Sequence, residues 1–368
     1  MTASNQSSAP RTAPLKLSRL GVALPAVSSF AGHIALLLLV LIGVVIFALS
    51  TGRYAVPFDK VLTILSANIF PIANEGANSW KIVEERVVEL VRLPRILVAG
   101  LCGGALAISG AALQGMFRNP LVGPQIIGVS SGAAFGGVLA ILLLLADYFI
   151  PVFAFTFGVI ALLITMGVAS AGGGKNVLSL VLGGIVTSAF FASLVSLAKY
   201  TADPDDSLPA IVYWLLGSYN ESSYVDVLYI LVPVLTAGLL IYKMRHLINI
   251  LSLGEEEARS LGINVDLSRW VILLSCAVLI AATVSVSGIV GWVGLIIPHF
   301  ARMITGSNHS RLLPVSMLVG AIYMILVDTV ARTASYGEIP IGVLTALIGA
   351  PIFAWLLHRT QMKGWSND

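Results

Sequence analysis

The sequence predicts an all-α polytopic membrane protein of ten transmembrane helices, and three observations carry that expectation. The first is composition: of 368 residues, 57% are apolar and 11% charged, with a mean hydropathy of +0.95. That is more hydrocarbon than a water-soluble domain can bury around one core. The second is the spacing of charges, because a spanning helix needs about 20 apolar residues and tolerates few charges at its centre. The third is an uncharged run from Trp270 to Ala301, too long for one span, which Gly288, Gly291, Gly294 and Pro298 divide. The net charge of +3 gives no support for nucleic-acid binding. Cys102 and Cys276 both lie in apolar runs and read as small buried hydrophobes, without a disulfide framework or a metal-ligand cluster.

Taken in order, residues 1–29 are rich in Ser, Ala and Pro and read as a flexible cytoplasmic tail. Residues 31–50 form the first span. The basic start and the "ALS" at 48–50 imitate a secretory signal, but the apolar run of about 17 residues exceeds the usual length for one. The charged 51–95 segment reads as a long external connection. No charge occurs between Arg95 and Arg118, Arg118 and Asp147, Asp147 and Lys175, or Lys175 and Lys199, so each gap holds one span. Residues 225–245, 269–289, 312–331 and 340–358 supply later spans, and the divided run adds a shorter tenth. Ten spans put both termini on one side. Arg11, Lys16 and Arg19 before the first span, with Arg359 and Lys363 after the last, make that side cytoplasmic. The helical domain covers 30–360, and 361–368 is a short cytoplasmic tail.

Ser109-Gly110 followed by Pro120, and Ser287-Gly288 followed by Pro298, share one spacing in spans that run oppositely, which suggests an inverted repeat of spans 2–5 and 7–10. The small residues of "GGALAISGAALQG" and "GVSSGAAFGG" fit close helix packing. Gly128-Val129-Ser130-Ser131-Gly132 matches the G-x-S-x-G elbow of serine hydrolases, yet its strand-turn-helix context and partners are missing from an apolar span. "GGGKN" at 172–176 lacks the spacing and the Ser or Thr of a phosphate-binding loop, so no nucleotide site is expected in this chain. An intramembrane enzyme would need paired polar groups at membrane depth, and only Asp328, near an edge, offers itself.

One stretch stands apart. In "LSLGEEEARSLGI", Glu255, Glu256, Glu257 and Arg259 interrupt hydrocarbon, Gly254 and Gly262 punctuate both ends, and three acids suit the amino end of a helix dipole. A short surface helix is expected there, on the cytoplasmic side. Its acids disfavour an anionic lipid surface and favour a protein partner.

Together, "RLPRILVAGLCGGALAISGAALQGMFRNPLVGPQIIGVSSGAAFG", "WLLGS", "LSLGEEEARSLGINV", "SGIVGWVGLIIPHFARMITGSNHSRLLP" and "DTVARTASYGEIPIGVLTALIGAPIFAWLL" closely resemble the FecCD/BtuC-type permease family over residues 30–360. These are the membrane subunits of type II ABC importers for vitamin B12, haem and iron siderophores. The resemblance implies ten helices per subunit and a second permease subunit, more readily a second copy than a paralogue. It further implies two cytoplasmic ATPases that hold ATP and magnesium, an extracytoplasmic substrate-binding protein, and a bacterial inner-membrane location. No cofactor is expected in this chain. By the same resemblance, the stretch around 249–268, with Gly254, Glu255, Glu256, Ala258, Arg259, Leu261 and Gly262, forms the coupling helices that meet the ATPase. Arg92, Arg95 and Arg332 would pair with glutamates of the binding protein, Asp328 orienting or neutralising Arg332. Gly183, Gly184, Thr187, Ser188 and Phe191 on span five would line the pathway, with Gln114, Asn119 and Pro120 closing the cytoplasmic end of span two. His299, alone in "IPHFAR", reads as structural. The implied substrate is a bulky iron chelate, siderophore or haem, with vitamin B12 or an oxyanion such as molybdate or tungstate as the alternative. The acidic segment with Asp203, Asp205 and Asp206 disfavours an anion at that rim.

Overall fold

The computed structural model describes residues 29–69, 80–171 and 177–364. The tail 1–28, the "GGGKN" stretch and residues 365–368 lie outside them. Every regular element among the described residues is helical. The elements are α1 (Phe30–Ser50), α2 (Phe58–Ile69), α3 (Ile82–Phe117), α4 (Val129–Leu142), α5 (Phe149–Ala171), α6 (Val177–Thr201) and α7 (Ser207–Leu216). They continue with α8 (Tyr224–Lys243), α9 (Arg245–Leu251), α10 (Glu255–Ser260), α11 (Val265–Ser287), α12 (Val293–Thr305), α13 (His309–Thr333) and α14 (Ile341–Gly364).

Seven of these, rather than ten, are long and apolar enough to cross a membrane: α1, α3, α5, α6, α8, α11 and α13. The other three expected spans fall on shorter apolar helices: α4 with 14 residues, α12 with 13, and the Ile341–Leu356 part of α14. At 1.5 Å per residue, α4 reaches only about 21 Å, short of the roughly 30 Å of hydrocarbon. Both α4 and α12 are short because the chain breaks inside the bundle before each begins. A 3-10 turn, Pro124–Ile127, leads through Gly128 (φ 77°) into α4. Gly288 (φ 68°) and Trp292 (φ 69°) separate α11 from α12. Backbone released from helical bonding at such depth needs polar partners. The Thr165 hydroxyl supplies one, donating to Ile127 O at 3.1 Å, and the Gln114 amide reaches Gly294 O, which Pro298 leaves without a helical donor, at 3.5 Å and Leu295 O at 3.2 Å.

The described residues of the 51–95 segment are mostly helical, and α3 begins at Ile82, inside the stretch expected to be an external connection. The segment's charges imitate a loop in the sequence, yet Glu84 is paired and buried at the start of α3. Glu84 is buried, and its carboxylate accepts from Lys60 Nζ at 2.7 and 2.8 Å and from Lys81 N at 2.8 Å. A π-helical turn, Val87–Arg92, stands directly before Pro94. Proline removes one backbone donor, and a widened turn accommodates the loss without ending the helix.

The core is built on α3, α11 and α13, and α3 packs through glycine against α13 and α12. A Cβ on Gly103 would stand 2.2 Å from Gly320 O, and one on Gly110 would stand 1.8 Å from Gly294 O. The backbones therefore touch, as expected from the small-residue stripes. The two Ser-Gly pairs are not equivalent, however. Ser109-Gly110 lies inside the continuous α3, whereas Ser287 ends α11 and Gly288 begins its break. Cys102 and Cys276 are free and fully buried, Cys276 Sγ lying 3.8 Å from Ser109 O.

Candidate coupling and docking sites

At one end of the bundle the chain turns through α9 and α10 before entering α11. Three acids occupy the first turn of α10, and Arg259 closes its last. The C-terminus ends in a double bond: Gly262 N donates to Arg259 O at 2.9 Å and Ile263 N to Ala258 O at 3.1 Å. Gly262 adopts φ 77°, the left-handed conformation that such a cap requires. Ala258 is fully buried and seats the helix. Glu255 is its anchor, because one carboxylate oxygen accepts from Arg259 Nη2 at 2.9 Å and the other from Arg269 Nη2 at 2.9 Å. Those two bonds hold the Glu255 carboxyl below its ordinary range, and Arg259 is raised in turn by Glu255. Glu256, Glu257, Arg259 and Gly262 face outward, and so do Leu253 and Leu261, 66% and 63% exposed. Acidic and apolar groups thus share one protruding surface, held rigid from beneath.

The same end gathers Gln114, Asn119, Pro120 and Arg302. Arg302 Nη2 donates to Gln114 Oε1 at 2.6 Å, linking α12 to α3. Asn119 and Pro120 sit in the exposed turn beyond α3, where Asn119 Oδ1 accepts from Leu121 N at 2.9 Å. His299 lies half-buried on α12.

At the opposite end the three sequence-singled arginines come together, buried to 4–6% exposure. Arg92 donates to Leu49 O and Tyr54 O, and Arg332 donates to Ala48 O and to Thr51 O, the last at 2.6 Å. They therefore cap the carbonyls left open where α1 ends. Asp328 turns chiefly to Arg95 rather than Arg332. Arg95 donates to it through Nε at 2.9 Å and Nη2 at 2.8 Å, whereas Arg332 Nε stands 3.8 Å away. Glu338 completes the group, accepting from Arg95 Nη1 and Nη2 at 3.0 Å each. The Tyr224 hydroxyl donates to Glu89 O at 2.7 Å, which brings the 217–224 turn to this end. A cleft of about 660 Å³ opens beside that turn, with Asp147, Tyr148, Tyr213, Glu221 and Asp226 among its walls. Asp203, Asp205 and Asp206 are exposed in the turn after α6.

The span-five residues divide by face. Gly183, Gly184, Thr187 and Phe191 are buried within this chain, and a Cβ on Gly184 would stand 1.9 Å from Ile126 O. Ser188 is partly buried. The open face of α6 carries Leu182, Ile185, Val186 and Phe190 instead, all more than half exposed.

Sequence reasoning missed Arg269, Glu338 and Lys60. Arg269 stands 14 positions from Glu255, and Glu338 stands 243 from Arg95. No local pattern marks such partners.

Comparison with known proteins gives these geometries a context. The molybdate import system permease protein MolB of Haemophilus influenzae is 43% identical over 333 residues, covering 90% of this chain and 96% of its own. The hemin transport system permease protein HmuU of Yersinia pestis is 40% identical over 281 residues, covering 74% and 83%. A solved inward-facing ABC transporter assigned to the metal-chelate type superposes with a TM-score of 0.77 at 41% identity, over 90% of this chain and 99% of that one. The family model described as the FecCD transport family matches residues 37–359. The chain is a multi-pass permease subunit without an ATPase site of its own, and it belongs to the FecCD transport family.

Proposed function

We propose that this chain moves a bulky iron chelate, a siderophore or haem, across the bacterial inner membrane. Partner ATPases drive it from the α10 end, and a binding protein feeds it at the arginine end. The single observation that carries this reading is the elbow itself. α10 is capped at its C-terminus, anchored by Glu255 to Arg269 at the head of α11, and presents Glu256, Glu257, Leu253 and Leu261 outward. A displacement applied to so rigid a helix passes into a span, whereas a loose loop would absorb it. The side of the elbow is cytoplasmic on this reading, and both termini share it.

Ten crossings, with spans 2–5 repeated inversely as 7–10, also belong to the proposal. Its support is that α3 and α11 run antiparallel, Cys102 beside Ser287 and Ser109 beside Cys276, and that each leads through a break into a short helix. The second subunit is a second copy of this chain, apposed along the open face of α6. Gly183, Gly184, Thr187 and Phe191 then set where that face lies, and Leu182, Ile185, Val186 and Phe190 flank the pathway. For docking, Arg92 and Arg332 exchange main-chain carbonyls for glutamates of the binding protein. The exchange is favourable because a cation bonds a carboxylate more strongly than a neutral carbonyl. Arg95 keeps Asp328 and Glu338 and holds the cluster in place.

An oxyanion is the second reading, favoured by the molybdate-importing relative. The exposed carboxylates of Asp203, Asp205, Asp206 and Glu221 weigh against an anion at the mouth. Alanine at Glu255, Glu256 and Arg259 together is expected to abolish uptake in cells; unchanged uptake, or a purified complex lacking an ATPase, removes the proposal. Calorimetry of the cognate binding protein with ferric siderophore, haem and molybdate decides between the substrates.

A further inference from the structure

The elbow reaches the bundle by a second route, through side chains of α9 and the start of α13. Asn249 lies on α9, five residues before Gly254. Its Oδ1 accepts from His309 N at 2.9 Å and lies 2.7 Å from His309 Nδ1, and its Nδ2 donates to Asn308 Oδ1 at 3.1 Å. The orientation of this set follows from fixed donors. Ser310 N donates to Asn308 Oδ1 at 2.9 Å, so Asn308 presents an acceptor. Asn249 must therefore turn its amide nitrogen to Asn308 and its oxygen to His309, which makes Nδ1 the protonated ring nitrogen. The imidazole is 3% exposed and wedged against a third helix, because a Cβ on Gly115 of α3 would meet His309 Nε2 at 2.4 Å.

One carboxamide thus grips both the capping residue and the first residue of α13. That helix runs 25 residues without interruption, about 37 Å at 1.5 Å per residue. Its other end carries Asp328 and Arg332 inside the arginine cluster.

We infer that Asn249 is a positioning residue for transport: through Asn308 and His309 it makes α13 move as one body with the elbow, linking the ATPase end to the docking end. The inference rests on the proposed coupling role of α10. Two spans then answer to one elbow, α11 through Glu255 and Arg269, and α13 through Asn249. A covalent connection accounts for the first even without a salt bridge, but α13 is separated from the elbow by two helices of chain. Among the described residues the side-chain latch adds polar bonds to the apolar packing of α9 against α13.

The test uses the assembled transporter in proteoliposomes with its binding protein, comparing Asn249→Leu with Asn249→Asp. Aspartate retains an oxygen that can accept both bonds from His309 but loses the donor to Asn308, whereas leucine retains nothing. The expected result is that Asn249→Leu assembles with its ATPase and hydrolyses ATP, while substrate moved per ATP falls by roughly two- to thirty-fold, the span of perturbations along coupled networks. Asn249→Asp is expected to recover most of that ratio. A merely structural role would lower assembly or thermal stability and leave the ratio alone. An unchanged ratio in Asn249→Leu overturns the latch and leaves the elbow reading standing; failure to retain an ATPase in the unsubstituted protein overturns the elbow reading first. Should Asn249→Leu not fold, spin labels at Glu256→Cys and Arg311→Cys read the same point in a chain with Asn249 intact. Their separation is expected to stay constant between nucleotide-free and ATP-bound states, and divergence between those states overturns the proposal.

Discussion

The two ends of the molecule use charge in opposite ways. At the elbow, Glu256, Glu257 and Arg259 face outward, and the bonds that hold α10 are local, within 14 residues. At the arginine end, Arg92, Arg95 and Arg332 are buried and bound to groups up to 284 residues away. The elbow therefore leaves Glu256 and Glu257 exposed while near neighbours hold its shape. The arginine end commits its cations to the fold, tying the end of α1 to α3 and α13. The lesson is that the same residue types hold shape between near neighbours at the elbow and over long range at the arginine end, where Arg92 and Arg332 would have to release main-chain carbonyls before docking a partner.

The sharpest way to break the comparison is at Asp328. It is fully buried and holds Arg95 through two nitrogens. Removing one partner of a buried pair leaves an uncompensated charge and typically costs about 3–5 kcal/mol. Asp328→Ala is expected to lower the thermal unfolding midpoint of the purified protein far more than Glu256→Ala. Equal midpoints would mean the cluster is not architectural. Glu338, which stays bonded to Arg95, softens the loss, so Asp328→Ala with Glu338→Ala should exceed either single change.

Gly110 comes next. An added methyl would stand 1.8 Å from Gly294 O, and both groups belong to backbone that cannot swing aside. Overpacking of this kind costs about 1–3 kcal/mol. Gly110→Ala should destabilise the protein, whereas Gly43→Ala, with nothing within 4 Å of the new methyl, should not. Similar midpoints for the two variants would remove the glycine contact as a determinant of packing.

These contrasts also explain what the sequence disclosed. Long gaps between charges located the apolar helices because hydrocarbon length is a local property. The elbow was legible for the same reason: its glycines, acids and arginine adjoin one another. Where a charge has a partner distant in sequence the rule misleads: Glu84, paired with Lys60, and Arg92, bonded to the carbonyls of Leu49 and Tyr54, helped disguise the first turns of α3 as a loop. The shortness of α12 was legible in Gly288, Gly291, Gly294 and Pro298, whereas that of α4 was hidden, because the Pro124–Ile127 turn before it packs against Gly294, far away in sequence. The span-five residues show the limit of position alone. Gly183, Gly184, Thr187 and Phe191 lie midway along α6, but the side of it they occupy is set by α5 and the turn before α4.

Within the elbow, Gly262 carries a smaller effect. No atom lies within 4 Å of a Cβ placed there, so only its φ of 77° opposes substitution. A left-handed conformation costs an ordinary residue roughly 1–2 kcal/mol. Gly262→Ala should fray the end of α10, raising amide exchange at Ser260 and Leu261 while leaving α11 unchanged. Equal exchange in both proteins would mean that the cap does not hold the helix.

The smallest effect is a titration. Bonds from Arg259 and Arg269 lower the Glu255 carboxyl from its ordinary 4.5. A folded-state value below the unfolded one contributes stability that is complete above the unfolded value and is lost as pH falls through the folded one. The anchoring of α10 should therefore be constant at neutral pH and weaken only below about 4.5, the ordinary glutamate range. Glu256 and Glu257 adjoin Glu255 in the chain, and Asp266 lies 3.9 Å from Arg259, so Glu255 is one of several carboxylates at the elbow. Glu255→Gln separates them, because glutamine keeps the shape and removes the charge that both arginines recognise. Amide exchange across 255–260, corrected for its intrinsic pH dependence, should rise on acidification in the native chain. In Glu255→Gln it should already be raised at neutral pH and change less on acidification. Parallel curves for the two proteins would assign the acid response to the outward carboxylates, and Arg269 would then hold the elbow by packing rather than by charge.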